Sequence, residues 1–204
     1  MHYGGYLVDL PKWRAFADIN QLILLEDAAH APAVDEVGQW GNAAVFSFFT
    51  NKNMTTAEGG MVLARETTML ECIRRLRSHG MTTLTLDRHR GHAYSYDVTM
   101  LGYNYRLDEL RAAMGLIQLN RLPEWNNHRR ELTNIYRHKL SRHLQEIVIP
   151  FNPDHKTGAH LMPVLLPIGI NRRNVMLQLR QNSIQTSIHY PPIHHFSYYR
   201  DRFP

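Results

Sequence analysis

Residues 22–25, Leu-Ile-Leu-Leu, form an apolar run that stops abruptly at Glu26-Asp27. A continuous apolar run of this length, bounded by charge, suits a strand covered on both faces, as strands of parallel sheets are. Further apolar runs at residues 43–49 and 60–64 read as two more short strands. Helical periodicity surrounds them. Residues 9–20 place Leu10, Trp13, Phe16 and Ala17 on one face, with Asp9 as N-cap and Pro11 in the first turn, and residues 67–78 align Met69, Leu70, Ile73 and Leu76. Strands alternating with helices point to an α/β fold.

Beyond them, residues 81–105 lose periodicity and read as a long polar loop, a length that in compact domains goes with function. Residues 107–122 read as a helix with Leu110, Met114, Ile117 and Leu122 on a stripe, and Pro123 opens a second helix through Trp125, Leu132, Ile135, Tyr136 and Leu140. At residues 150–158 the composition shifts to Asn, Pro, Asp, Lys and Gly, which divides the chain into residues 1–149 and 150–204. In the smaller part, strands at residues 160–166 and 184–190 flank a helix at 172–181, a small βαβ-like unit.

Composition narrows the function classes. With 204 residues, 44% of them hydrophobic and 20% charged, the chain can bury one good core or two small ones. The net charge of +5 is scattered, too thin for a nucleic-acid footprint. No apolar run approaches the about 18 residues of a membrane span, and Met1-His2-Tyr3-Gly4-Gly5 has no basic segment leading into an apolar one. The single cysteine, Cys72, builds neither a disulfide framework nor a thiolate cluster, so a reducing compartment, the cytoplasm, is expected.

The chemistry gathers where the strands end. Ligands of open parallel sheets lie beyond the carboxyl ends of the strands, which is where Asp27 stands. Glu-Asp-Ala-Ala-His pairs it with His30 across small residues that let a flat ligand approach, and Ser47 and Lys52 follow the second strand. A lysine after a strand is ordinarily a solvated loop residue. A lysine amine forms an imine with an aldehyde only when neutral, an aspartate can hold a protonated pyridine nitrogen, and a serine hydroxyl can donate to a phosphate. Those three needs together describe pyridoxal 5′-phosphate.

The series EDAAH, GQWGNAAVFSFFTNKNMTTAEGGMV, RSHGM, LGYNYRLDELRAAMGLIQLNRL, HLMPVLL and IQTSIHYPPIHHFSYYR resembles, in the same order, the DegT/StrS-type aminotransferases that act on nucleotide-linked keto-sugars. The resemblance implies a pyridoxal-phosphate transferase fold of type I, with part of the large cofactor domain and part of a small α/β C-terminal domain. It implies that Lys52 binds the cofactor covalently, Asp27 pairs with the pyridinium nitrogen, His30 lies near the ring, and Ser47 binds the phosphate. Asn104 would reach the phosphate of a neighbouring subunit in a homodimer with shared active sites, with Arg106 close by. Arg106, together with His189 and Tyr190 in the small domain, would lie toward the substrate. Lysine at position 52, where some relatives have histidine and dehydrate their substrate, implies transamination, with glutamate as the amino donor.

Relatives carry HYGGYLVDL in mid-domain and continue past SYYRDRFP, so the alternative expectation is a truncated or split chain that acts only with a complementary one. The histidine-rich stretch 189–195 invites a metal, but its prolines resist a helix and it holds no carboxylate or thiolate, so no metal is expected. Arg88 to Arg90 reads as a solvated loop before a diphosphate clamp, and Tyr3, Tyr6, Trp13 and Phe16 as core and turn aromatics.

Overall fold

Asp9 accepts a hydrogen bond from the Lys12 N–H at 3.2 Å and starts α1 (Leu10–Ile19), with Pro11 in the first turn where no intrahelical donor is needed. The computed structural model describes residues 1–83, 89–91 and 95–203, so Arg88 of the basic stretch lies outside the described residues. Leu10 and Ala17 of α1 are buried, but Trp13 and Phe16 are half exposed and pack edge-on against each other at 5.9 Å. Those two aromatics are therefore not core. Tyr6 is, stacked on Phe151 at 4.4 Å and 13°.

Three strands, β1 (Leu25–Asp27), β2 (Ala43–Ser47) and β3 (Gly60–Ala64), form one sheet in that order, β1 parallel to β2 and β3 antiparallel to it. β1 thus begins where the apolar run ends, and Leu22, Ile23 and Leu25 are exposed rather than buried. Among the described strands β1 has a neighbour on one side only, so a covered sheet interior is not completed around that run. Strand alternation then sorts the paired acids: Glu26 faces the buried side and Asp27 the open one. After β3 comes α2 (Thr67–Arg77), whose half-buried positions include Met69, Leu70, Ile73 and Leu76.

Glu26 organises the connection between β1 and β2. Its carboxylate accepts from the backbone N–H groups of Gly38 (2.9 Å), Trp40 (3.1 Å) and Gly41 (2.6 Å), and lies 3.2 Å from His2 Nε2. Burial pushes the Glu26 carboxyl up, but donation from Gly38, Gly41, His2 and Trp40 outweighs it and holds the group below the carboxylate range. Burial pushes His2 below the ordinary imidazole value, against the pull of Glu26. In both cases the unfolded chain takes up protons more readily than the folded one as pH falls, so stability is lost on acidification. The urea midpoint is expected to decline from the ordinary histidine value of 6.5 downward, through His2, and again below the carboxylate value of 4.5, through Glu26. His2→Gln should flatten the upper limb; a profile level from pH 7 to 4 would contradict this account.

Two expected helices are one. α3 (Glu109–His143) runs straight through Pro123, although a proline inside a helix forfeits a hydrogen bond and crowds the preceding turn, at a cost of about 3 kcal/mol. The flanking packing offsets it: Leu122 and Asn126 are almost wholly buried. Of the expected stripe only Leu122 is buried; Leu110 and Ile117 are exposed. Residues 81–105 are not a free loop at their base. Residues 97–105 run back beside the end of α2, with bridges Ser78–Asn104 and Met81–Val98 and hydrogen bonds from His79 N–H to Tyr103 O and from Tyr103 N–H to Leu76 O. A Cβ on Gly102 would fall 2.0 Å from Gly80 N, so the two limbs meet only because that residue is glycine.

The chain divides into two compact units, Met1–Ile135 with Phe151–Met162, and Tyr136–Pro150 with Pro163–Pro204. The second contains α4 (Arg172–Gln181), capped by Asn171, and α5 (Ser197–Arg202). Among the described residues neither expected strand, 160–166 or 184–190, forms; within the second unit a single bridge joins Val148 and Leu165. No described residue of this unit is buried, so nothing there supplies the apolar face on which a strand would settle.

Candidate active site

Asp27 closes β1 and Ser47 closes β2. In the parallel register Asp27 stands opposite Val45, two residues before Ser47, so Asp27 and Ser47 share one face of the sheet. The Asp27 carboxylate is fixed by its own backbone: Oδ1 accepts from the Ala29 N–H at 3.1 Å, and no hydrogen bond to the other oxygen is found among the described residues. Ser47 Oγ accepts from the Phe49 N–H at 3.4 Å, and its own hydrogen stays available to donate.

Lys52 lies in the turn after β2, closed by its N–H donating to Phe49 O at 3.0 Å. Phe48 and Met54 on either side belong to the core with Leu122, so the turn springs from rigid ground. Its side chain is half-buried, and no hydrogen bond or ion pair to Nζ is found among the described residues. Burial pulls the Lys52 ammonium below the ordinary lysine value, and the Asp27 carboxylate pulls it back. The structure therefore brings Asp27 and Lys52 within each other's field. Gly59, which leads into β3, is held so close that a Cβ would fall 2.3 Å from Thr56 Oγ1.

His30 is buried in the loop after β1, its Nδ1 accepting from the Gly4 N–H at 3.2 Å. A backbone N–H can only donate, so the proton of the neutral imidazole sits on Nε2. The His160 ring packs on it at 4.4 Å and Tyr3 meets it edge-on at 6.2 Å. Asn104 and Arg106 are exposed, with Arg106 Nε donating to Asn104 Oδ1 at 3.2 Å, and are positioned by the end of α2 rather than by the strand ends. His189 and Tyr190 belong to the second unit, where Ser187 Oγ lies 3.3 Å from His189 Nδ1 and the two rings meet edge-on at 4.7 Å.

Sequence reasoning overlooked Glu26, His2, Asn53, Asn126 and His160, all polar and all bound to one another or to the site loops. Two of them stand directly beside assigned residues, Glu26 before Asp27 and Asn53 after Lys52. Pleat alternation was the available signal for the first.

The model of the DegT/DnrJ/EryC1/StrS aminotransferase family matches residues 1–204. The chain belongs to this family. Among solved structures it is similar to PseC of Helicobacter pylori, an aminotransferase involved in the biosynthesis of pseudoaminic acid, at 27% identity over 99% of this chain and 54% of that one, with a TM-score of 0.86. It is similar to DesV of S. venezuelae, at 31% identity over 100% and 53% of the two chains, TM-score 0.85. It also resembles DesI, solved in the presence of its TDP-sugar product, at 29% identity over 98% and 50%, TM-score 0.80. The chain spans about half the length of the solved structures it matches. DegT/DnrJ/EryC1/StrS aminotransferases depend on pyridoxal 5′-phosphate, and the donor set fits that group: an amine held below its ordinary pKa, an open carboxylate oxygen and a hydroxyl free to donate, all at the strand ends.

Proposed function

We propose that this chain supplies the lysine-bearing part of an active site that transfers an amino group to a nucleotide-linked keto-sugar, with glutamate as donor. The observation that supports the reading is that Asp27 ends β1 and Lys52 follows β2, its parallel neighbour, with the amine half-buried and within the field of the Asp27 carboxylate. The sugar class is supported by DesI with its TDP-sugar product and by PseC.

Pyridoxal phosphate, when bound, supplies the electron sink on which an amino group can be carried between two substrates. The residues of this chain do the rest. Lys52 Nζ would hold the cofactor and would serve as the general base and acid that moves a proton at the reacting carbon. Asp27 holds a proton at the ring nitrogen, Ser47 Oγ–H donates to the phosphate, and His30 lies near the ring. In a homodimer with shared sites, Asn104 reaches the neighbouring subunit's phosphate and Arg106 lies close by. Arg106, His189 and Tyr190 are assigned to the substrate side, and the reaction takes place in the cytoplasm.

A second reading is favoured by the sheet itself. Leu25, Val45 and Val62 share the face that bears Asp27 and Ser47, Val45 directly opposite Val62, and all three are exposed. Each hundred Å² of such surface left in water forfeits about 2.5 kcal/mol, so further polypeptide, a complementary chain or a second subunit, covers this face in the working assembly. Sedimentation and a glutamate-dependent amination assay with a keto-sugar nucleotide test both readings. Turnover is expected only from an assembly larger than one chain. Turnover by a monodisperse monomer would overturn the second reading, and the absence of glutamate-dependent amination from a complemented assembly would overturn the first.

A further inference from the structure

Asn53, next to Lys52, is nearly completely buried and serves three partners at once. Its Nδ2 donates to Gly158 O at 2.7 Å and to Asn126 Oδ1 at 3.0 Å, and its Oδ1 lies 2.9 Å from His160 Nδ1. The orientation of the amide follows from chemistry. A backbone carbonyl only accepts, so the nitrogen faces Gly158, the oxygen faces His160, and His160 carries its proton on Nδ1. The Asn53 carbonyl is held as well, by Arg129 Nη2 at 3.2 Å.

The same network reaches the other half of the site. Asn126 donates its Nδ2 to Pro32 O at 3.1 Å, in the loop that follows β1, and His160 packs its ring on His30 in that loop. One buried asparagine therefore joins the turn bearing Lys52 to the loop that continues from Asp27 through His30. Polar groups buried this deeply fix a geometry, because any other arrangement strands a donor or acceptor away from water.

We propose that Asn53 is the positioning residue for Lys52: held by Gly158, Asn126 and His160, it locks the lysine turn against the Asp27–His30 loop and so holds the amine half-buried and within the field of the Asp27 carboxylate. This deepens the functional reading above and rests on Lys52 as its amine. Asn53 touches no reacting atom; it acts through the backbone of its neighbour.

The test is amine-selective acylation of the folded protein without cofactor, followed by peptide mass spectrometry across a pH series, which gives a titration midpoint for each lysine. In the wild type Lys52 is expected below the ordinary lysine value, while Lys156, held above it by Glu36 from far along the chain, reports that the fold is intact. Asn53→Ala should move the Lys52 midpoint up toward about 10.4 as the turn loosens into solvent, with Lys156 unmoved. If Asn53→Ala also lowers Lys156, the fold is lost and His160→Phe decides, since it keeps a ring against His30 and removes the Nδ1–H donor; the Lys52 midpoint should again rise. A wild-type Lys52 midpoint at the ordinary value overturns the proposal. So does a Lys52 midpoint that stays in place in the deciding variant while Lys156 is intact. Because no cofactor is present, failure of pyridoxal phosphate to bind Lys52 would sink the functional reading while leaving this result standing.

Discussion

Incubated with pyridoxal 5′-phosphate and then reduced with borohydride, the protein is expected to carry the cofactor fixed covalently on Lys52. The reaction needs a neutral amine, and an ordinary lysine near pKa 10.4 is only about 0.1% neutral around pH 7.4. Burial moves Lys52 in the productive direction, since lowering an amine's pKa by one gives about tenfold more of its neutral form at the same pH. Lys12 and Lys156 move the other way, each raised by a carboxylate partner, Asp9 and Glu36. Between Lys52 and these two, competition therefore favours Lys52 before any cofactor contact is counted. The yield should rise with pH through the Lys52 titration. Lys52→Ala should abolish the adduct and leave the circular dichroism spectrum unchanged, because the side chain is not part of the core. Cofactor recovered on another lysine would remove Lys52 from the site.

Asp27→Asn should retain the cofactor and slow transamination roughly ten- to over a hundred-fold, the loss of a charge-assisted hydrogen bond of about 1.5–3 kcal/mol. An amide cannot balance a charged pyridinium. The fold should not suffer, since Asp27 is exposed and the oxygen of asparagine can still accept from the Ala29 N–H. A second readout separates charge from shape. The Asp27 carboxylate raises the Lys52 pKa, so its removal should lower the Lys52 titration midpoint, opposite in sign to the effect of Asn53→Ala. Unchanged turnover in an active assembly, or an unmoved Lys52 midpoint, would take Asp27 out of the mechanism.

The strand ends were legible because short-range chemistry governs them: apolar runs, an abrupt carboxylate pair, an Asp N-cap. β3 and the helix at residues 172–181 run where periodicity and capping placed them. Local rules failed where distant partners decide. Pro123 read as a helix start because the sequence around it does not reveal that Leu122 and Asn126 are anchored in the interior. The run at residues 22–25 read as covered on both faces, yet coverage depends on what packs there and not on the run. The C-terminal strands needed neighbours that the described residues do not provide. Likewise Asn53 gave no local sign, since its partners Asn126, Gly158 and His160 lie 73 to 107 positions away.

That separation sets an order of events during synthesis. The chain leaves the first unit at residue 135 and rejoins it at Phe151–Met162, and only then do the carbonyl and imidazole that grip Asn53 exist. At about 5–20 residues per second, the ribosome delivers them several seconds after Lys52. Until then the lysine turn has its core residues but no clasp. Closing a loop of this size costs more entropy than any local turn, so the clasp forms late and opens early. The turn that bears Lys52 is thus completed by nearly the last segment of its own unit to be made.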